Sequence, residues 1–252
     1  MTEFLTSPAG RRLAYVRTPA TGPGAEPGIV FLGGFRSDMT GTKAVFLEDW
    51  AKARGRAFLR FDYSGHGQSS GAFEDGSIGD WAADARAVIE ALTEGPQVLI
   101  GSSMGGWIAL LLARAMPERV AGLVGIAAAP DFTRRTWTEE LTEAQRAEVG
   151  TTGRLELPSG YSDTPYVFTR RLFEDGAQNL VLESPLALPF PARFLQGTAD
   201  TDVPPAVALR ILDHATGPDI RLTLVKGADH RFSTPDCLAL IAASVANLSR
   251  GV

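Results

Sequence analysis

Residues 96–116 read PQVLIGSSMGGWIALLLARAM, and the fold turns on how this stretch is read. An apolar run at 97–100 ends in Gly-Ser-Ser-Met-Gly, and over 104–116 the side chains are almost all apolar, as in a buried helix. Strand, tight turn and helix in that order give a G-x-S-x-G sequence the setting it needs, with the serine held on a strained turn. Side chains larger than hydrogen at Gly101 and Gly105 would collide with the adjoining strand and helix. Ser103 therefore takes the nucleophile position, and its neighbour Ser102 does not. A helix starting at Met104 also directs its positive dipole end at that hydroxyl, which favours a developing oxyanion.

Working outward, short apolar runs at 28–32, 57–61, 120–126, 192–195 and 221–225 alternate with longer segments of helical period at 41–53, 77–94, 205–214 and 235–248. That alternation predicts an α/β fold with a mostly parallel central sheet flanked by helices. Residues 13–17 are expected to start an antiparallel edge. Ser77 and Asp80 form a capping pair for the helix that follows, and Gly95-Pro96 stops it. The alternation breaks across 131–189, so the domain reading is a core of 1–130 and 190–252 with a lid inserted at 131–189. Helical stretches are expected there at 138–149 and 165–175, around the Gly/Pro-bounded piece GRLELPSG. A merely decorative insertion is the alternative.

Composition narrows the function. The 252 residues carry 24 Lys plus Arg against 29 Asp plus Glu, a net charge of −5, which excludes a nucleic-acid clamp built on a basic excess. With 44% hydrophobic and 21% charged residues the chain can build a real core. Cys237 is the one cysteine, so neither an internal disulfide nor a cysteine zinc site can form. The first sixteen residues lack a basic stretch followed by an apolar one, and the apolar runs at 107–113 and 126–129 fall far below the roughly 20 residues of a membrane span. A soluble cytoplasmic protein without an integral membrane segment is the expectation.

A serine hydroxyl needs a base, and the chain offers only His66, His214 and His230. His230 follows the strand RLTLVKG and falls in the order serine, acid, histidine. His66 sits in the Gly-rich DYSGHGQSSG and is read as shaping that turn. His214 ends a helix, beside the carbonyl dipole that suits it. The carboxylate that orients the base is expected at Asp200 in FLQGTADTDVPP. Asp202 and Asp131 remain as alternatives, Asp202 being expected to point away or cap the next helix. Asp229 is read as a local hydrogen-bonding residue. Oxyanion donors are expected from the backbone N–H groups of Met104 and Phe35, with Gly33-Gly34 letting the chain approach the substrate.

The motifs GSSMGG, DYSGHGQSS, GTADTDVP and GADH resemble the α/β-hydrolase superfamily, in order and across nearly the whole chain. FLGGFRSDMTGTKA, FLRFDYSGHGQSSG and PQVLIGSSMGGW further resemble a subgroup of small esterases that includes acyl-glucuronide esterases and palmitoyl-protein thioesterases of animals. The resemblance implies a serine hydrolase acting on a small-molecule acyl ester or thioester, with Ser103, Asp200 and His230 as its triad and neither metal nor organic cofactor. Where many relatives have His-Gly before the oxyanion turn, this chain has Gly33-Gly34. The animal proteins also carry a targeting segment, and nothing like it precedes residues 2–17, so a mitochondrial location is not expected. Tyr161, Tyr166, Phe168, Leu172 and Phe173 are the expected apolar substrate contacts from the lid. The basic pairs Arg134-Arg135 and Arg170-Arg171 are read as solvated lid surface rather than as a carboxylate site. Carbon-carbon bond hydrolysis on the same scaffold and a non-catalytic binding module are the rival functions.

Overall fold

The structure is a computed structural model and describes residues 1–21, 26–158 and 165–248. The first half alternates as the apolar runs predict: β1 (Glu3–Thr6), β2 (Arg12–Thr18), β3 (Ile29–Leu32), α1 (Thr42–Lys52), β4 (Phe58–Phe61), α2 (Ile78–Leu92), β5 (Gln97–Ser102), α3 (Met104–Ala115) and β6 (Val120–Ile126). An inserted segment follows, with α4 (Phe132–Arg135), a π-helical turn at Thr136–Glu140, α5 (Glu143–Thr152), β7 (Arg154–Leu157), β8 (Tyr166–Thr169) and α6 (Arg170–Gln178). The chain then returns through β9 (Leu186–Ala187), β10 (Ala192–Gly197), α7 (Pro205–His214), β11 (Ala215–Thr216), β12 (Ile220–Val225) and α8 (Pro235–Leu248).

Eight strands form the main sheet in the order β1-β2-β4-β3-β5-β6-β10-β12. Only the β1–β2 and β2–β4 pairs are antiparallel. The parallel strands all end at one edge of the sheet, and the loops leaving β3, β5, β6, β10 and β12 therefore meet there. Alternate residues of each strand feed opposite faces. Val30, Leu32 and Leu99 join the core beneath α2, α3 and the inserted segment, while Ile29, Phe31, Val98 and Ile100 join the one beneath α1 and α8. Strand β5 is buried along its whole length, and Trp81 of α2 and Trp107 of α3 are fully buried against it and its neighbours.

Residues 13–17 lie in β2, which forms the antiparallel edge of the sheet together with β1, paired outside it. Two expectations are corrected. The expected helix at 138–149 is broken at Leu141, where Thr142 begins a new helix with a capping box whose side chain accepts from the Gln145 N–H. The expected helix at 165–175 starts only at Arg170: Tyr166, Val167 and Phe168 are strand formers that pair antiparallel with β7, and Thr169 caps α6 by accepting from the Leu172 N–H.

The inserted segment is fastened to the core mainly through α6 and the residues after it. The Gly79 N–H at the start of α2 donates to Asp175 Oδ1 at 2.7 Å, and Arg171 pairs with Asp80 at 2.6 Å. Trp107 Nε1 donates to the Asn179 carbonyl at 3.0 Å. Asp131 accepts from the Val181 and Leu182 N–H groups, both at 2.9 Å, tying the two ends of the insertion together.

Ser77 caps α2 as its spacing from Asp80 predicts, with Oγ accepting from the Asp80 N–H and donating to its carboxylate. Ser77→Ala is expected to lower the unfolding free energy by about 1 kcal/mol, the usual worth of such a cap, with turnover unchanged. Urea unfolding alongside an ester assay checks both.

Candidate active site

Ser103 sits between β5 and α3 at φ 54° and ψ −119°, a left-handed region that a side chain occupies only when its surroundings enforce it. Glycines supply the enforcement. A Cβ at Gly101 would overlap the Gly105 carbonyl, one at Gly105 would overlap the carbonyls of Leu32 and Gly33, and one at Gly106 would strike Ala128. The turn is also stitched to β6: the Ser103 N–H donates to the Ile126 carbonyl at 2.9 Å, and the Ser103 carbonyl accepts from the Ala129 N–H at 3.1 Å. Its hydroxyl is thereby aimed out of the sheet edge.

His230 lies on the loop after β12, with Nε2 3.1 Å from Ser103 Oγ and Nδ1 2.9 Å from Asp200 Oδ2. Asp200 lies on the loop after β10, and its side chain is fully buried. Burial alone would raise the Asp200 pKa, but hydrogen bonds from His230, the Val203 N–H and Gln196 outweigh it and hold the carboxylate below its ordinary range. Oδ1 accepts from the backbone of Asp202 and Val203 at 3.0 and 2.8 Å, and Gln196 Nε2 donates to Oδ2 at 2.9 Å. The acid and histidine loops are joined as well: the Ala199 N–H donates to the Ala228 carbonyl, and the Gly227 N–H to Thr198 Oγ1.

These groups open into a cavity of about 790 Å³. Phe35 and Met104 both line it, and no described protein group accepts a hydrogen bond from either amide. Tyr166 and Phe168 reach it from β8, and together with Phe35 and Phe132 they make an aromatic wall whose rings meet Phe35 at 5.5 to 5.7 Å. Leu172 and Phe173, expected as substrate contacts, do not reach the cavity. They point into the packing behind the wall, where Phe173 stacks on Phe168 and meets Trp137. Tyr161 lies outside the described residues.

The other candidates have structural partners. His66 is buried and bonds the Ser64 carbonyl and the Arg36 N–H, and His214 reaches the Ser184 carbonyl at 2.6 Å. Asp131 serves the insertion, and Asp229 accepts from the Phe232 N–H at 3.1 Å. Asp202 does not cap α7, whose N-cap is Pro204, and its side chain faces the cavity instead. Its carboxylate lies within 4.8 Å of the ligand atoms of Asp200 and His230, yet an ion there would have to displace the hydrogen bond between those two. The basic pairs are not simply solvated: Arg134 meets Glu183, Arg135 meets Glu140 and the Asp202 carbonyl, Arg170 bonds the end of α5, and Arg171 meets Asp80.

Sequence reasoning missed Phe132, Gln196 and Lys43. Lys43, in the first turn of α1, lines the cavity and donates to the Arg231 carbonyl, next to His230. The strand-following aromatic in APDF was a usable signal for Phe132. Nothing local marked Lys43, whose partner lies far away in the chain, and Gln196 is only four residues from Asp200 but carries no motif that marks its bond to that carboxylate.

Residues 29–243 match the Alpha/beta hydrolase family, and the fold just described is that of this class. The chain belongs to this family and is a hydrolase. It is 38% identical over 250 residues to the palmitoyl-protein thioesterase ABHD10, mitochondrial, of Rattus norvegicus, covering 97% of this chain and 81% of that protein. The human protein of the same name is 36% identical over 246 residues, with 97% and 79% covered. Among solved structures, an Agrobacterium vitis S4 protein superposes with a TM-score of 0.93 at 40% identity, and mouse alpha/beta hydrolase domain-containing protein 10 with 0.88 at 34%, each covering 98% of both chains. No helix among the described residues is long and apolar enough to cross a membrane.

Burial pushes the Lys43 ammonium from the ordinary 10.5 down to about 8, against the opposing pull of Asp229. Through that interval the unfolded chain holds a proton at residue 43 that the folded chain has released, so stability rises with pH there. Wild type is expected to gain stability relative to Lys43→Met from pH 8 to 10.5. Urea unfolding across that range checks it, and a constant difference would show the ammonium to be unperturbed.

Proposed function

We propose that the protein is a serine hydrolase that cleaves carboxylic esters or thioesters through an acyl-enzyme intermediate, with Ser103, His230 and Asp200 as its catalytic triad. The observation that carries this reading is the unbroken hydrogen-bonded series from Ser103 Oγ through His230 to the buried Asp200 carboxylate. His230 takes the hydroxyl proton as Ser103 attacks the acyl carbonyl, and Asp200 stabilises the imidazolium that results. The tetrahedral oxyanion is received by the N–H groups of Phe35 and Met104, each typically worth about 2.7 to 4 kcal/mol of barrier. The histidine then protonates the leaving alcohol or thiol. Water, deprotonated by the same histidine, releases the acid.

Residues 131–189 act in this reading as a lid whose Tyr166, Phe168 and Phe132 cover an apolar acyl group. The relatives named palmitoyl-protein thioesterase support a thioester-linked acyl chain among the substrates. Those names also place the relatives in the mitochondrion, which lends no support to a cytoplasmic location here. No step in this mechanism requires a metal or an organic cofactor.

Ser103→Ala is expected to reduce turnover of p-nitrophenyl esters by about 10⁴-fold or more, with an unchanged melting temperature. A fluorophosphonate probe should label Ser103 alone. An active variant, or labelling at Ser102, would overturn the assignment. A vinylogous diketone cleaved faster than any ester would favour carbon-carbon hydrolysis instead.

A further inference from the structure

We propose that His66 is a positioning residue for the oxyanion turn: its Nε2 holds the Arg36 N–H and so orients the adjoining peptide whose N–H, on Phe35, faces the substrate. The proposal rests on the triad and oxyanion reading given above and adds a residue that does not touch substrate.

The turn after β3 needs a support of this kind. Gly33 and Gly34 bring it close to Ser103, a Cβ on Gly34 falling 3.5 Å from that of Ser103, but they impose little conformation of their own. Arg36 adopts φ 55° without being glycine, a strained state that persists only where contacts on several sides dictate it. Three contacts do so. The Arg36 N–H donates to His66 Nε2 at 3.3 Å, its guanidinium donates to the Pro165 carbonyl at 2.8 Å, and the Ser37 N–H closes back on the Gly34 carbonyl at 3.1 Å. Of these, the first anchors the turn's own backbone to a different segment of the core, where the Tyr63 hydroxyl also donates, at 3.4 Å, to the Gly33 carbonyl at the start of the turn.

His66 is itself fixed from behind. Its Nδ1 lies 3.1 Å from the Ser64 carbonyl, which can only accept, so Nδ1 carries the proton and Nε2 presents a lone pair. The Ser64 carbonyl also receives Trp81 Nε1 at 3.0 Å. The N–H and Oγ of Ser64 both donate to Asp84 Oδ2, at 2.9 and 2.6 Å, and the fully buried Asp84 is met on its other oxygen by Arg11 at 2.6 Å. Edge-on contacts with Tyr63, Phe73 and Trp81, at 5.1 to 5.5 Å between ring centres, stop the imidazole from turning. Burial also lowers the His66 pKa to about 4, so the lone pair is present throughout the neutral range. A chain of polar contacts thus runs from Arg11 through Asp84, Ser64 and His66 to the turn.

A purely packing histidine would contribute only to stability, and three substitutions separate the two roles. His66→Gln places an amide oxygen near the Nε2 position. His66→Asn can reach the Ser64 carbonyl but offers no acceptor to Arg36, and His66→Leu keeps apolar bulk alone. With Ser103→Ala as the inactive reference, Asn and Leu are expected to lower kcat by about 30-fold or more at a KM within about threefold of wild type, while Gln recovers most of it. The inhibition constant of an alkylboronic acid, which forms a tetrahedral adduct on the serine, should weaken in step with kcat. Melting temperatures identify any loss that is only structural, and if Leu does not fold, Gln against Asn decides. Near-wild-type kcat in Asn, or equal kcat in Gln and Asn, would overturn the positioning role while leaving the triad intact. Activity in Ser103→Ala would instead remove the triad reading, and this proposal with it.

Discussion

A methyl group at residue 105 would lie inside the van der Waals envelope of the Leu32 and Gly33 carbonyls, and one at residue 101 inside that of the Gly105 carbonyl. The closeness of β3, β5 and the start of α3 is what the rest of the site is built on. It forces the chain at Ser103 into a left-handed conformation and brings the Gly33-Gly34 turn against the serine. The strain, of the order of 1 to 3 kcal/mol for such a backbone, is held by bonds from the Ser103 N–H to the end of β6 and from the loop after it to the Ser103 carbonyl. Helix α3 can sit so near only because ten of its twelve residues are buried, its first turn is Met-Gly-Gly, and Trp107 closes the gap beyond.

Buried His66 and half-buried His230 show how the neighbours of one side chain set it differently. His66 faces a carbonyl on one side and an N–H on the other, among aromatic rings, and holds one fixed neutral tautomer. His230 faces a carboxylate on one side and a hydroxyl on the other, at the wall of an open cavity, an arrangement that lets a proton move. Asp200 is suited to its part because it keeps its charge while buried: four hydrogen bonds replace the water it has lost.

Local patterns made most of this readable in the sequence. Glycines around Ser103 report a steric demand satisfied within a few residues, and the positions of Asp200 and His230 follow from where strands of the parallel sheet end. The helix bounds of α7 and α8 likewise rest on local signals, a proline at the start and an apolar period after it. What could not be read depends on how the chain folds back on itself. Lys43 looks ordinary until the fold brings it to the distant Arg231 carbonyl, and Gln196 until the turn after β10 sets Asp200, four residues on, against its amide. Leu172 and Phe173 are large and apolar like Phe168, and only the switch from β8 to α6 after Thr169 separates the residues that line the cavity, Tyr166 and Phe168, from those packed behind it. Strand β1 is short and carries polar ends, so its pairing with β2 is set by the neighbour rather than by its own residues.

The insertion leaves the sheet after Ile126 and returns at Ala192, and the two strands it joins are direct neighbours, with Ala192 opposite Leu123. Its ends are therefore close together whatever lies between them. Loop-closure entropy grows only with the logarithm of length, so a connection of roughly 65 residues in place of a crossover of about 15 costs only about 1.3 kcal/mol more to close. The sheet, with its serine turn, is nearly indifferent to how much chain is spliced in at this point. In the proposed reading, covers of different size and lining can thus be exchanged over one unchanged set of reacting groups, and pocket shape can diverge at little cost to folding.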